Sequence, residues 1–390
     1  MKRSTTEILT THSGSLPRPP RLRTLVAARA AGERTDDQEF EDAVRSAVAE
    51  VVRHQVAAGL TVVNDGEVSK QGFSSYIQDR LTGFAEVEAV QEDSRSDRGA
   101  RERQNFPEFY GERPDPFYAR TRQEPRMVTS CVGPIEWTDF AAVQRDIDNL
   151  KAATEGLDVE DAFMSAISPG DTLRKFPNRY FDTDREYMEA VATAMRSEYQ
   201  AIIDAGLILQ IDCPDLTTGA YPQMYDPEAF RAELSANVDA LNLATEGLPA
   251  DRMRIHVCWG SMERPHSLDP ELSSIVDILL RARPAGMTVV AANGRHAFEW
   301  QTWQDTELPE GKVIIPGVID STTNIVEHPR AVADRILRFS EVLGKENMIA
   351  GVDCGFQTSV DRDQVTPSIA WTKLAALGEG ARLATRELWG

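Results

Sequence analysis

One histidine and two cysteines are the side chains of this sequence best suited to bind a metal ion. His256 and Cys258 stand two positions apart in the run RIHVCWGS, and Cys354 follows another apolar run in GVDCGF. Because side chains alternate between the two faces of a β-strand, His256 and Cys258 point to the same side. Imidazole and thiolate are ligands that zinc prefers, and three protein ligands leave one position open for a substrate. The three residues therefore predict a catalytic zinc site.

The alternative is that these cysteines are packing residues. A His-x-Cys pair is a much weaker signal than a spaced Cys-x-x-Cys doublet, and a buried cysteine usually behaves as a small apolar side chain. The zinc prediction therefore depends on a fold that brings Cys354 next to His256 and Cys258.

Composition narrows the class of protein. The chain has 390 residues, of which 41% are hydrophobic and 27% are charged, as in a globular protein with a large core. A net charge of −20 and the lack of a basic stripe argue against nucleic acids and anionic membranes as partners. The sequence shows no secretory signal and no run of membrane-spanning length, which predicts a cytoplasmic protein. In such a chain, four cysteines favour metal or thiol chemistry over a disulfide framework.

The order of the predicted elements indicates the fold. From residue 61 onward, eight strand-like apolar runs alternate with helical patterns. The predicted strands cover residues 61–64, 127–133, 162–170, 207–212, 254–261, 287–293, 312–320 and 348–354. The predicted helices cover residues 37–60, 139–155, 184–205, 227–245, 329–343 and 368–387, and another is predicted to begin at Asp269-Pro270, an N-cap followed by proline.

Eight β/α units are the number found in a TIM barrel, so we predict a single (β/α)8 barrel over residues 1–390. A doubly wound open sheet is the alternative, but no glycine-rich phosphate-binding motif follows the first strand. One segment interrupts the pattern: residues 86–126 are charged and rich in proline and aromatic residues. A connection of this length predicts a lid over a site, with a solvated disordered segment as the alternative.

In a TIM barrel the active site lies at the carboxyl ends of the strands. The first predicted strand ends close to Glu67, the fourth at Asp212 and the seventh at Asp320. The fifth and eighth strands lie across the barrel from each other, so the fold allows Cys354 to meet the His256–Cys258 pair. The glycine-containing loop HSGSLPR near the start of the chain can hold an anion such as a carboxylate through its backbone N–H groups, although an ordinary turn fits it as well.

The motifs HSGSLPR, NDGE, QIDCPDL, IHVCWGS, PGVID and VDCGF occur in this order across nearly the whole chain. Taken together, they resemble the catalytic barrel of cobalamin-independent methionine synthase and of its single-barrel relatives, a barrel of the uroporphyrinogen decarboxylase type. The resemblance implies zinc bound by His256, Cys258 and Cys354. It also implies that Glu67 and Asp212 bind a substrate ammonium group. Ser15 and the backbone around it would then hold the substrate carboxylate.

Charge agrees with these roles, because two carboxylates suit a cation and glycine-flanked N–H groups suit an anion. Without the resemblance, Glu67 and Asp212 are as well explained as acids that cap helices or pair with arginine.

The implied reaction is methyl transfer to homocysteine or a similar thiol, in which zinc lowers the pKa of the thiol and holds its sulfur in place. The methyl donor stays open between methyltetrahydrofolate and a methylated corrinoid protein. The long methionine synthases use an additional N-terminal barrel to bind polyglutamyl folate, whereas the predicted strands here account for one barrel. His296 and Asp320 are the candidates for the acid that protonates the leaving group.

The chain departs from the methionine synthase pattern at the sixth strand. That family adds a zinc-binding glutamate there, but the stretch VVAANGRH has no carboxylate, and Glu299 lies beyond it. Ser261 and Gly294 also stand where single-barrel relatives have Asn and Pro, which leaves the substrate open.

A His-Cys-Cys zinc site resembles that of the epoxyalkane:coenzyme M transferases, so addition of a thiol to an epoxide is a second candidate function. It predicts a basic residue in place of Glu67 and Asp212. A barrel that binds its ligand without zinc or catalysis is the third.

Overall fold

The computed structural model of the chain describes residues 1–89, 100–112, 127–217, 226–361 and 364–390. The strands are β1 (Val62–Val63), β2 (Phe84–Glu88), β3 (Met127–Cys131), β4 (Asp161–Ile167), β5 (Ile208–Asp212), β6 (Met253–Val257), β7 (Gly286–Val289), β8 (Val313–Ile319) and β9 (Gly351–Val352). The helices are α1 (Pro20–Ala30), α2 (Asp37–Ala57), α3 (Ala100–Asn105), α4 (Pro107–Glu112), α5 (Phe140–Thr154), α6 (Pro169–Lys175), α7 (Asp184–Asp204), α8 (Pro227–Ala244), α9 (Val276–Leu279), α10 (Pro329–Leu343) and α11 (Pro367–Trp389).

The structure is an α/β fold built on a parallel sheet. Its seven strands lie in the order β1-β4-β5-β6-β7-β8-β9. Every residue of β5, β6, β7 and β8 is buried, which explains why these strands are continuous apolar runs in the sequence. The pairing of β5 with β6 places Asp212 beside His256, so the carboxyl ends of neighbouring strands meet at one edge of the sheet.

The strand predicted over residues 127–133 forms, but its assignment to the barrel is wrong. As β3, it pairs antiparallel with β2 in a separate two-stranded sheet. Only its last two residues, Ser130 and Cys131, are buried, and Met127 is exposed. A strand with one solvated end and only two buried residues cannot occupy a place that is buried on both faces.

A segment not predicted as a strand links the two edge strands of the parallel sheet. On one side, the N–H of Val62 donates to the carbonyl oxygen of Thr10 at 2.9 Å. On the other, the N–H of Ala350 donates to the carbonyl oxygen of Leu9 at 2.8 Å, and the N–H of Thr11 donates back to Ala350 at 2.9 Å. Residues 9–11 therefore satisfy backbone groups at both edges of the sheet.

The long helices match their predicted positions, with ends that differ by at most three residues. The helix predicted to begin at Asp269-Pro270 is a correction. The chain instead forms a 3-10 turn at Leu272–Ser274 and the single turn α9. The carboxylate of Asp269 does not cap a helix, because it accepts hydrogen bonds from Arg264 and His266.

The excursion predicted over residues 86–126 contains the end of β2 and the short helices α3 and α4, while residues 90–99 and 113–126 lie outside the described part. Glu102 of α3 is buried and accepts two hydrogen bonds from Arg264, at 3.1 Å each. Helix α3 is thus held against the loop that follows β6. That this excursion acts as a lid stays a prediction.

A buried ion-pair network joins helices α5 and α7 to the segment that follows β1. Arg80 donates to Asp146 of α5 at 2.5 Å and to Glu198 of α7 at 2.7 Å, and all three side chains are at most 8% exposed. Tyr76 donates to the same Glu198 carboxylate at 3.1 Å. Within the described ranges, no helix is both long enough and apolar enough to cross a bilayer.

Replacing Arg80 by alanine should strongly destabilise the fold. The Arg80→Ala variant leaves the carboxylates of Asp146 and Glu198 buried without their cation, which costs about 3–5 kcal/mol of the free energy of unfolding. Urea unfolding followed by tryptophan fluorescence measures the change. Arg185→Ala is the control, because the Arg185–Glu189 pair lies on the surface and its loss should have no measurable effect. Equal midpoints for the two variants would contradict the structural role of Arg80.

Candidate metal centre

The structure brings His256, Cys258 and Cys354 together at the carboxyl edge of the parallel sheet. One ring nitrogen of His256 and the two sulfurs all lie within 4.8 Å of one another, and the Sγ atoms of Cys258 and Cys354 are 3.1 Å apart. All three residues are buried. The three side chains already lie at the same edge of the sheet. Zinc ligation by this set stays a prediction.

The chemistry of the three side chains fits a metal ion. Among the residues that the structure describes, neither Nδ1 nor Nε2 of His256 has a hydrogen-bond partner, and the residue is only 4% exposed. Buried polar atoms are nearly always paired, so an imidazole with two unpaired nitrogens needs an explanation. The hydrogen bond from Cys354 lowers the pKa of Cys258, and the same contact raises the pKa of Cys354. One thiolate is therefore favoured before any metal binds.

Asp353 fixes the position of Cys354. Its carboxylate accepts hydrogen bonds from the backbone N–H groups of three successive residues after β7, Ala291, Ala292 and Asn293, each at 2.8 Å. Burial, together with the charge of Asp320, raises the pKa of Asp353 to about 7. These hydrogen bonds tie the end of β9 to the stretch where the methionine synthases carry their additional glutamate.

Ser15 and Glu67 lie in direct contact. The hydroxyl of Ser15 donates to Oε2 of Glu67 at 2.7 Å, whereas Oε1 of Glu67 is buried and has no partner. Glu67 itself has a φ of 54°, in the left-handed region that few non-glycine residues adopt. Glu67 thus combines an uncommon left-handed backbone with a buried carboxylate oxygen that has no hydrogen-bond partner among the described residues.

Asp212 is linked to the loop around Ser15 through Gln210. The side-chain N–H2 of Gln210 donates to Oδ1 of Asp212 at 2.8 Å and to the carbonyl oxygen of Ser13 at 2.8 Å. Burial raises the pKa of Asp212 to about 8, and the charge of Glu67 adds to the shift. A buried acid whose ionised form is disfavoured, next to a second carboxylate, forms an environment in which a ligand cation is stabilised.

The two candidate acids lie elsewhere. The ring nitrogens of His296 face carboxylates, at 3.2 Å from Asp269 and 3.3 Å from Glu299. Asp320 follows β8 and accepts hydrogen bonds from the backbone and hydroxyl of Thr322. Neither residue belongs to the cluster around His256, and their catalytic roles stay predictions.

Glu299 is not placed as a further ligand of that cluster. One of its carboxylate oxygens accepts from the N–H of Leu272 at 3.0 Å and faces His296, and the other accepts from Thr302.

Arg254 is a buried residue next to the candidate site that the sequence analysis did not identify. It is fully buried on β6, two positions before His256. Its guanidinium donates to Gln210 at 2.8 Å and to the carbonyl oxygen of His12 at 2.9 Å, and it lies 3.6 Å from the centroid of the Phe163 ring. The signal for it was an arginine among the apolar residues of a strand that also carries His256.

Residues 8–113 and 176–376 match the family model of the catalytic domain of cobalamin-independent synthase. The chain belongs to this family. The resemblance to cobalamin-independent methionine synthase that the motifs carried is thereby confirmed. The match includes all of the predicted site residues, from Ser15 to Cys354.

Two relatives of this cobalamin-independent synthase catalytic domain align with the chain over nearly its whole length. A methionine synthase of Saccharolobus islandicus is 25% identical over 97% of this chain and 95% of its own length, and one of Saccharolobus solfataricus is 24% identical with the same coverage.

Two solved structures share the fold. A B12-independent methionine synthase from Shewanella sp. W3-18-1, in complex with selenomethionine, has a TM-score of 0.70 at 17% identity and covers 98% of this chain and 99% of its own. A putative B12-independent methionine synthase from Listeria monocytogenes has a TM-score of 0.64 at 19% identity, with 100% and 99% coverage.

The Gly14→Ala variant tests how tightly Glu67 is packed. Gly14 has a φ of 124°, and a Cβ atom there would lie 2.2 Å from Oε1 of Glu67. Gly32→Ala is the matched control, because Gly32 also has a positive φ but nothing within 4 Å of the new methyl group. We expect about 1–2 kcal/mol of destabilisation from the backbone alone in Gly32→Ala, and clearly more in Gly14→Ala. Equal losses in urea unfolding would show that Glu67 moves aside freely.

Proposed function

We propose that this chain is a zinc-dependent thiol S-methyltransferase that transfers a methyl group to homocysteine or a similar thiol. The observation that carries the proposal is the buried convergence of two thiols and an imidazole whose nitrogens have no hydrogen-bond partner in the described part of the chain. The methionine synthase names of the relatives support the reaction. The donor would be methyltetrahydrofolate or a methylated corrinoid protein.

In this proposal His256, Cys258 and Cys354 hold the zinc ion. When bound, zinc supplies a Lewis acid that lowers the pKa of the substrate thiol and favours its nucleophilic thiolate. Asp353 keeps Cys354 in place through its three backbone hydrogen bonds. The N–H of Gly260 donates to the sulfur of Cys258 at 3.2 Å and stabilises it as a thiolate.

Glu67 and Asp212 bind the ammonium group of the thiol substrate. Both are buried, and burial with the neighbouring carboxylate holds the pKa of Asp212 near 8, so a cation between them favours its ionised form. Ser15 and the backbone around it hold the substrate carboxylate. The hydroxyl of Ser15 donates its one proton to Glu67 at 2.7 Å, so backbone N–H groups of the loop would hold the carboxylate, next to the proposed ammonium site.

For the acid that protonates the leaving group, Asp320 is better placed than His296. Asp320 is half-buried at the end of β8, whereas His296 is 1% exposed and has both ring nitrogens against carboxylates. A proton donor must reach the substrate, so partial exposure favours Asp320.

We also propose that residues 1–390 form one domain whose sheet is a complete (β/α)8 barrel. Residues 9–11 would take the eighth position, since they are hydrogen-bonded to both Val62 and Ala350. The lid would be the excursion over 86–126, with α3 latched through Glu102 to the loop after β6.

Addition of a sulfonate-bearing thiol to an epoxide is the alternative reaction. A sulfonate would meet Glu67 and Asp212, two buried acids with no basic residue in their place, so the proposed ammonium-binding reaction is favoured. A binding barrel without catalysis leaves the unpaired nitrogens of His256 unexplained.

Zinc content tests the metal centre. Purified Cys354→Ala should contain about one zinc per chain less than the wild type by elemental analysis, since two remaining ligands hold zinc weakly. Cys131→Ala is the matched control, because Cys131 is a buried thiol of β3 outside the cluster. A wild type that retains no zinc, or identical content in Cys354→Ala and Cys131→Ala, would rule out the centre and the reaction with it.

Homocysteine affinity tests the ammonium site. Glu67→Gln and Asp212→Asn should each weaken calorimetric binding of homocysteine to the zinc-loaded protein by about 10- to 100-fold, the worth of a charged hydrogen bond. A thiol of the same length that lacks the amino group is the control ligand, and its affinity should not fall. If both thiols lose affinity equally, the two acids shape the pocket without binding an ammonium.

A further inference from the structure

A second cluster of metal-binding side chains follows β6. His266, Asp269 and His296 are each at most 8% exposed, and one ligand atom from each lies within 4.8 Å of the other two. Oδ2 of Asp269 is 2.6 Å from Nδ1 of His266 and 3.2 Å from Nε2 of His296. Two imidazoles thus converge on one carboxylate oxygen.

The outward-facing nitrogens of both imidazoles are already occupied. Nε2 of His266 lies 3.1 Å from the carbonyl oxygen of Met262, and Nδ1 of His296 lies 3.3 Å from Oε1 of Glu299. Metal-binding histidines characteristically donate their other ring N–H to a carbonyl or carboxylate in this way. The remaining nitrogens are the two that point towards Asp269.

Asp269 divides its oxygens between two tasks. Oδ1 accepts a hydrogen bond from Arg264 at 2.5 Å, which leaves Oδ2 at the centre of the cluster. The hydrogen bond to Arg264 also orients the carboxylate, as such bonds do for metal ligands.

The net negative charge of this network favours the binding of a divalent cation. In the part that the structure describes, Arg264 pairs with the carboxylates of Glu102 and Asp269, and the carboxylate of Glu299 faces His296. With neutral imidazoles, these three carboxylates and one guanidinium have a net charge of −2. Uncompensated buried charge is costly, and one dication cancels it.

We propose that His266, Asp269 and His296 form a second site for a divalent transition metal, separate from the His256 cluster and independent of the proposed function. A two-histidine, one-carboxylate donor set suits zinc and other first-row metals. The site joins the loop after β6 to the turn after β7, and the Glu102–Arg264 pair extends it to α3. The ring of Trp259, next to Cys258, packs against His296 with centroids 4.8 Å apart. The proposed ion therefore has a structural role: it holds together the loops next to the His256 cluster.

Zinc stoichiometry tests the proposal. Metal-stripped protein is incubated with excess zinc, freed of unbound metal by gel filtration and analysed by elemental analysis. Cys354→Ala, which leaves the second cluster intact, should still retain about one zinc per chain, and the Cys354→Ala/His266→Asn double variant should retain none. Asparagine is chosen because His266 has a φ of 54°, which asparagine tolerates. His328→Asn, which replaces an exposed helix-capping histidine, is the control and should bind as much zinc as the wild type.

Cobalt distinguishes the two sites by colour. The sulfur-to-cobalt absorption of the loaded protein should disappear in Cys354→Ala and persist in His266→Asn, because only the first cluster contains thiolates. A folded Cys354→Ala chain that retains no zinc would overturn the second site and show the two imidazoles to be paired as cations with the carboxylates. Residual zinc that survives in the double variant would overturn it equally. Neither result depends on catalysis, so failure of the methyltransferase assignment would be seen separately.

Discussion

The hydrogen bond between Gln210 and Arg254, on paired positions of β5 and β6, is the interaction on which the candidate site most depends. Both side chains lie in the fully buried layer directly beneath the carboxyl ends of the strands. From there Gln210 reaches Asp212 and Ser13, while Arg254 reaches Thr11 and His12. A polar layer of this kind is stable only when its donors are satisfied, and here the loop that carries Ser15 supplies acceptors for them. The position of the substrate loop is therefore set by the interior of the sheet.

The cluster around His256 was predictable because its signals are local. Alternation along one strand aligned His256 with Cys258, and parallel strands deliver their carboxyl ends to one edge. The long helices were equally predictable from apolar spacing and caps. The strand over residues 127–133 was assigned wrongly because a short β-branched run does not reveal its partner. Residues 9–11 were missed because they have no periodicity, and only their hydrogen bonds to both sheet edges identify them.

Long-range contacts account for the other differences. Asp269 followed by proline has the local signature of a helix start, but Arg264 and two histidines compete for its carboxylate more effectively than backbone N–H groups. Asp353 likewise gives no local sign that it binds the backbone after β7. The two histidine clusters show the same point: His256 has no hydrogen-bond partner within the described ranges, whereas His296 has one at each nitrogen. Residue type alone does not separate these environments.

The contacts of residues 9–11 have a consequence for synthesis of the protein. One partner, Val62, is close to residues 9–11 in sequence. The other, Ala350, lies some 340 positions after them. On the ribosome, which emits the chain from its N-terminus, one edge of the sheet must stay without its neighbour until Ala350 emerges. Contacts of such sequence separation form slowly, because closure of the long loop costs entropy before any pairing is gained. The nascent chain therefore exposes an open sheet edge during most of its translation, and this is the stage at which it is most prone to aggregate.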